Sequence, residues 1–249
     1  MEGSFNLNKD VLLMFSGGKD SFLSACGLIE QGYKLKLITY NSGFVIQSLK
    51  PDDASNRLIQ KYGTERVESL GTHFIPGLVR EFFLPYFNMT MTELFREYGD
   101  ITISQLNCLI CRTIMYIYSI RMCRDLNISI LAEGARKSQL FVIELEGMVE
   151  RYRSLLLQYN IDYLLPVYDL VSDVDRGNEL LRKGFIPSTN EDQCLLGVPL
   201  GQPVTNNVIK GVHAFFDKAI LPRIQERNLI EKPLYKDVDG AYRNIIKLY

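Results

Sequence analysis

A short apolar run, Val11-Leu12-Leu13-Met14-Phe15, breaks abruptly into Ser16-Gly17-Gly18-Lys19-Asp20-Ser21 and then continues as FLSACGLIEQGY. A run of this length reads as a buried strand. The residues after it carry Phe22, Leu23, Cys26, Leu28 and Ile29 at helical spacing, with Gly32 as the stop. A buried strand that passes through a glycine turn into a helix belongs to a parallel sheet. The first-turn N–H groups of such a helix lack intrahelical partners, and its dipole favours an anion there.

The same alternation recurs along the chain. Strands are expected at Lys34–Tyr40, Arg66–Leu70, Ile128–Ala132 and Tyr163–Val167. Helices are expected at Asp20–Gln31, Pro51–Tyr62, Pro76–Tyr86, Met91–Tyr98, Gln105–Leu126, Leu140–Leu157, Asp173–Lys183 and Val208–Gln225. The pattern predicts an α/β fold with a doubly wound parallel sheet and a helical C-terminal extension. The expected division is an α/β domain over 1–185 and a loop-and-helix extension over 186–249, opening with an irregular stretch from Ile186 to Pro203. The 249 residues, 47% hydrophobic and 23% charged, suffice for one sizeable core.

The formal net charge of −1 gives no global attraction to nucleic acid or membrane. Seven Lys and Arg against five Asp and Glu lie between Cys108 and Arg153, and eight against five from Lys210 onward. Interspersed Tyr and Phe would suit a shallow RNA-binding face, but a solvated helix surface is the commoner origin of such a pattern. The opening MEGSFNLNKD has no basic start followed by a long apolar stretch, and no apolar run approaches the ~20 residues of a membrane span. A cytoplasmic protein with no membrane partner is expected.

In FSGGKDS, Gly17 and Gly18 let a phosphate approach the backbone. Ser16 and Ser21 add hydroxyl donors and Lys19 a cation. Asp20 would repel a phosphate unless it holds a magnesium ion or caps the turn. The order is neither GxxxxGK[ST] nor GxGxxG. It resembles the PP-loop of the N-type ATP pyrophosphatases, whose signature is SGGxDS. That resemblance implies a sheet that binds ATP at the carboxyl ends of its strands. The loop, Ser16 to Ser21, would hold the pyrophosphate. AMP would be transferred to a substrate oxygen and then displaced by a nucleophile. Thr39, Tyr40 and Asn41, at the end of the second strand, match the family's adenine and ribose contacts by position.

A second strand end carries Glu133-Gly134-Ala135-Arg136-Lys137-Ser138-Gln139, and the family places an α-phosphate or substrate motif there. Gly134, Arg136 and Lys137 are therefore candidate nucleotide contacts. GARKSQ is closer to the GxRxxES pattern of sulfonucleotide-reducing relatives than to the GHxxDD pattern of thiolating ones. Gln139 replaces the acid, and the reductases' C-terminal cysteine motif is absent. A basic turn exposed to water is the plain alternative.

Five cysteines without a secretory signal do not suggest a disulfide framework. Cys108 and Cys111 are spaced i, i+3 at the expected start of a helix, where Arg112 and the helix N-terminus would favour thiolate. With the distant Cys194 they resemble the ligand set of tRNA 2-thiocytidine synthetase-type enzymes, in which three cysteines hold a four-iron cluster. Three readings stay open: an iron–sulfur cluster on Cys108, Cys111 and Cys194; a zinc site on the same residues with Cys123 or His213; or unmetallated thiols, buried or forming a persulfide pair. Cys26 and Cys123 read as core, and His73 and His213 as structural.

The resemblance implies an ATP-dependent sulfurtransferase using magnesium, with either a tRNA or a small-molecule acceptor and an unidentified sulfur donor. A homodimer is compatible with the chain. An amide-forming ligase and a nucleotide-binding regulator without turnover are the alternatives.

Overall fold

A computed structural model describes residues 10–45, 50–139, 141–170, 172–186, 194–195 and 204–231. Five parallel strands form one sheet in the order β3-β2-β1-β4-β5. They are β1 (Asp10–Met14), β2 (Lys34–Asn41), β3 (Val67–Phe74), β4 (Ile130–Glu133) and β5 (Asp162–Leu164). The chain winds outward from β1 through β2 to β3, then returns to the other side of β1 for β4. The order thus reverses between β1 and β4, the switch point at which a doubly wound sheet opens a crevice.

Alternate side chains of β1 feed two separate cores, as strand pleating requires. Val11, Leu13 and Phe15 join α1 (Lys19–Glu30), α2 (Lys50–Tyr62) and α7 (Asp173–Arg182) on one side of the sheet. Leu12 and Met14 join the larger core on the other side. That core contains α3 (Pro76–Phe87), α4 (Met91–Tyr98), α5 (Ile103–Asp125) and α6 (Glu146–Leu157). It also contains α8 (Asn206–Phe215) and α9 (Leu221–Glu226), so the helical C-terminal part packs on the same apolar mass as the sheet.

The sequence expectations hold for the element order and for most spans, and the differences have local causes. Helix α5 begins at Ile103, before Gln105, because Thr102 and Gln105 form a reciprocal capping box. The stretch expected as one helix from Leu140 to Leu157 is helical only from Glu146. Before it come two 3-10 turns, Lys137–Gln139 and Val142–Glu144, and Leu145 is extended; Leu140 lies outside the described residues. Strand β5 stops at Leu164 because Pro166 cannot donate to a ladder. Strand β3 runs on to Phe74, with a register shift opposite Leu37–Thr39 and Gly71 at φ 75°. The helical run expected over Val208–Gln225 is interrupted by a π turn, Phe216–Ile220, just ahead of Pro222, whose missing N–H leaves a carbonyl without its usual partner. Of the expected irregular segment 186–203, only Ile186, Cys194 and Leu195 are described.

Among the described residues no helix is long and apolar enough to cross a membrane. All seven cations between Cys108 and Arg153 are paired with carboxylates: Arg112 with Glu133, Arg121 with Asp125, Arg124 with Glu231, Arg136 with Asp20, Lys137 with Glu146, Arg151 with Asp217 and Arg153 with Glu150. The excess of positive charge in this segment is therefore spent within the fold, as a helix surface spends it.

Helix α8 crosses close behind α4. A methyl group at Gly211 would lie 2.4 Å from the Tyr98 carbonyl oxygen. Gly211→Ala must therefore push the C-terminal helices off the larger core. Urea denaturation should show a loss of about 1–3 kcal/mol, the usual cost of overpacking against backbone; an unchanged midpoint would mean that α8 can slide at no cost.

Candidate functional site

The turn after β1 is shaped by glycine. Gly17 has φ 78°, a conformation that side-chain-bearing residues rarely adopt. Gly18 is the N-cap of α1, and no side chain caps the helix. The loop hydroxyls bond inward: Ser21 Oγ donates to the Gly18 carbonyl at 3.0 Å, Ser16 Oγ accepts from the Gly18 N–H at 3.3 Å, and the two hydroxyls lie 3.2 Å apart. Thr39 Oγ1 donates to the Phe15 carbonyl at 2.6 Å and so braces the loop from β2.

The second strand end packs directly on this loop. A Cβ at Gly134 would sit 2.5 Å from the Ser21 nitrogen and 2.8 Å from its Cα. Only glycine lets the end of β4 come this close to the first turn of α1. The two motifs that the sequence places at strand ends thus share one crevice at the switch point.

Asp20 is buried, and both its oxygens are taken. Arg136 Nε donates to Oδ2 at 2.8 Å, and Arg176 of α7 binds Oδ1. The carboxylate does not cap the turn. Its visible work is to hold two guanidinium groups at the loop. Arg136 reaches the crevice as expected, but its charge is directed at Asp20. Lys19 is likewise engaged: its Nζ donates to Asp173 Oδ1 and Oδ2 at 2.9 and 3.1 Å. Beside the loop is a cleft lined by Gly17, Lys19, Phe22, Arg57, Leu180 and Phe185.

The remaining sequence candidates separate. Tyr40 turns away from the crevice, its hydroxyl 2.9 Å from Ser119 Oγ of α5. Asn41 Oδ1 accepts from the Gly43 N–H at 2.8 Å, an Asx turn at the end of β2. Lys137 projects to the surface, 3.5 Å from Glu146. Cys26 and Cys123 are core residues, their thiols pushed up by burial to about 11 and about 12. His213 is held below its usual range by burial, and His73 Nε2 lies 3.2 Å from the Leu70 carbonyl oxygen.

The cysteine expectation needs one correction. Because the capping box starts α5 at Ile103, Cys108 and Cys111 lie more than a turn inside the helix, beyond the reach of its N-terminal dipole. Burial pushes the Cys111 thiol up to about 11, outweighing a hydrogen bond with Ser42 and the charge of Arg112. The Cys111 thiol is not poised as thiolate. Cys194 bridges Val45, beyond the end of β2, and lies near enough to Cys111 to disfavour its ionisation further. Cys111 and Cys194 thus lie in one neighbourhood near the end of β2, and Cys108 lies near Tyr152 of α6. Among the described residues no three His, Cys, Asp or Glu side chains gather as a metal ion needs.

A buried polar network joins the cysteine helix to the crevice. Glu133, the last residue of β4, accepts from Arg112, Tyr116 and Tyr163. Glu144 stands beside it, its Oε1 accepting from the Arg136 N–H at 3.3 Å and its carbonyl from Tyr168 Oη at 2.8 Å. Burial pushes the Glu144 carboxyl up to about 8 against the pull of Arg112 and Arg136. Sequence reasoning missed Glu133, Glu144, Arg112, Tyr116, Tyr163, Asp173 and Arg176 as site residues. Glu133 did carry a signal: an acid closing the apolar strand ISILA, one residue before the glycine. Asp173 and Arg176 carried none, since nothing in the sequence of α7 points back to residue 20.

No protein-family model matches the chain. No curated protein matches it. Among solved structures, one described as a predicted subunit of tRNA methyltransferase from Methanocaldococcus jannaschii is 19% identical, with 79% of this chain and 100% of that chain covered. Its TM-score of 0.44 is too low to bear on function. The crystal structure of a 4-thiouridine synthetase–RNA complex with bound ATP is 12% identical, with a TM-score of 0.56 over 89% of this chain and 53% of that one. The chain spans about half the length of that synthetase, and at this identity the likeness is one of fold.

Two variants test the site's construction. Gly134→Ala should drive the end of β4 away from Ser21 and cost about 1–3 kcal/mol in urea denaturation. Glu144→Gln tests the buried carboxyl. Between the ordinary value of 4.5 and about 8, the folded chain holds a proton that the unfolded chain has lost, so this group's contribution to stability falls as pH rises through that window. Stability measured from pH 5 to 8 should decline more steeply in the parent than in Glu144→Gln; parallel profiles would place the carboxyl in its ordinary range. In fold the chain resembles the 4-thiouridine synthetase structure.

Proposed function

We propose that the chain is an ATP-dependent enzyme of the PP-loop type that adenylates an oxygen of its substrate, releases pyrophosphate and replaces the activated oxygen with sulfur. The observation that carries this reading is the uncapped first turn of α1, opened by Gly17 and Gly18 and pressed against Gly134 at the switch point. That crevice offers backbone donors fixed in advance, which suits charge developing on a departing pyrophosphate.

In this reading the N–H groups of Lys19, Asp20 and Ser21 meet the phosphates, and Lys19 exchanges Asp173 for a phosphate oxygen. Arg136 and Arg176, fixed by Asp20, set the positive field of the crevice. Thr39, Tyr40 and Asn41 meet the adenine end through backbone groups, since their side chains are committed elsewhere. Magnesium would enter with the nucleotide's own phosphates. Cys108, Cys111 and Cys194 are the proposed sulfur-handling set, a reading supported by the neighbourhood that Cys111 and Cys194 share near the end of β2. An RNA nucleobase is the favoured acceptor, on the likeness of fold to a synthetase solved with RNA and ATP.

Lys19→Ala should remove a charge-assisted contact and weaken ATP binding by tenfold or more, on the order of 1.5–3 kcal/mol. Calorimetry measures it, and equal affinity in the folded variant would remove Lys19 from the site. Pyrophosphate release from ATP on adding unmodified RNA tests the adenylation. Iron and labile-sulfide assays on anaerobically purified protein decide between a cluster and bare thiols.

A further inference from the structure

Helix α7 contributes nothing to the PP-loop signature, yet it makes two of the most specific contacts at the loop. Asp173, in its first turn, places both oxygens on Lys19 Nζ at 2.9 and 3.1 Å. Arg176, one turn on, is buried, binds Asp20 and returns to Asp173 at 2.5 Å. The four side chains form an alternating chain of ion pairs, Lys19–Asp173–Arg176–Asp20. Asp173 is the outlier in it. Its side chain is 66% exposed, whereas Arg176 and Asp20 are 3% and 11% exposed, so it is the member that can leave without stranding a buried charge.

We propose that Asp173 is a positioning residue that holds the Lys19 ammonium at the loop by standing where phosphate oxygens bind, and that phosphate displaces it. A carboxylate and a phosphate face offer a lysine the same thing, two anionic oxygens within hydrogen-bond reach. Lys19 has three N–H donors and Asp173 takes up two of them, so a phosphate face that engages two must displace the carboxylate from at least one. The Asp173 carboxyl is held below its usual range chiefly by the hydrogen bond from Lys19, so it is ionised and competing at neutral pH. Arg176 keeps Asp173 nearby after displacement and keeps Asp20 from turning toward the phosphates. The loop therefore faces a competition whenever a phosphate arrives, and α7 sets its strength. This inference rests on the reading of the loop as a pyrophosphate site.

The test is calorimetric titration with inorganic pyrophosphate and with ATP of the full chain and three variants: Asp173→Asn, Asp175→Asn and the double variant Lys19→Ala/Asp173→Asn, with Lys19→Ala as its reference. Asp173→Asn should bind pyrophosphate about fivefold more tightly, the size of one partly exposed ion pair. Asp175→Asn removes the same charge from the same helix turn, where only the Asp175 backbone N–H is engaged, with Ser172; it should change affinity less than twofold. In the Lys19→Ala background, Asp173→Asn should give no gain. Equal gains from Asp173→Asn and Asp175→Asn, or a gain that survives loss of Lys19, would reduce the effect to general charge and overturn the proposal. Unchanged or weaker binding by Asp173→Asn, with the parent binding normally, overturns it while leaving the pyrophosphate reading intact. If the parent chain binds neither pyrophosphate nor ATP, both fail.

Discussion

The ion pair between Asp20 and its two arginines is the contact on which the crevice depends. A nearly buried carboxylate is tolerated only with close compensation, and leaving such a charge unpaired costs about 3–5 kcal/mol. Here Arg136 arrives from the loop after β4 and Arg176 from α7. The carboxylate thus fixes three elements to one another: the first turn of α1, the second strand end and the helix that closes the far side. Gly134 makes the approach sterically feasible and Asp20 makes it favourable. In the fold, Asp20 is the acid to which the two arginines are tied.

A second buried carboxylate extends this construction toward the cysteines. Glu133 is held by Arg112 and by two tyrosine hydroxyls, and Arg112 is the residue after Cys111. Burial holds the Tyr116 and Tyr163 hydroxyls well above their usual range, so they stay protonated donors to Glu133. A shift of α5 along its axis would move Cys111 and Glu133 together. The end of β4 and the thiol on the neighbouring helix are one mechanical unit, and a nucleotide seated against Gly134 would sit at its edge.

Much of this was legible in the sequence because it is local. Strand, glycine turn and helix can be read from Val11 to Gly32, and the pairing of that turn with GARKSQ follows from the logic of a doubly wound sheet. What could not be read was long-range. The division of labour between Lys19 and Asp173 joins residues 154 apart, and no periodicity records it. The thiolate expectation for Cys111 failed chiefly on burial, a tertiary effect that outweighs the neighbouring Arg112 charge and the Ser42 hydrogen bond. The helix expected from Leu140 was overridden by tertiary contacts: the Glu144 side chain and carbonyl are taken by Arg136 and Tyr168. The cation excess from Cys108 to Arg153 is visible in the sequence, whereas its pairing with acids such as Glu231, Asp20 and Asp217, distant in sequence, is not.

The sheet order also has a consequence during synthesis. Strands β1, β2 and β3 are made in succession and can pair as they emerge, but β4 follows only after the long run of α3, α4 and α5. Asp20 must wait 116 residues for Arg136 and 156 for Arg176. On the ribosome the glycine loop is therefore built early and completed last, with its acid facing water and the edge of β1 uncovered in the interval. Contacts this distant in sequence slow folding and prolong the exposure of unpaired strand edges. The same distance means that no nascent fragment ending before α7 can carry a finished crevice, so the chain cannot engage a ligand there until most of it has been made.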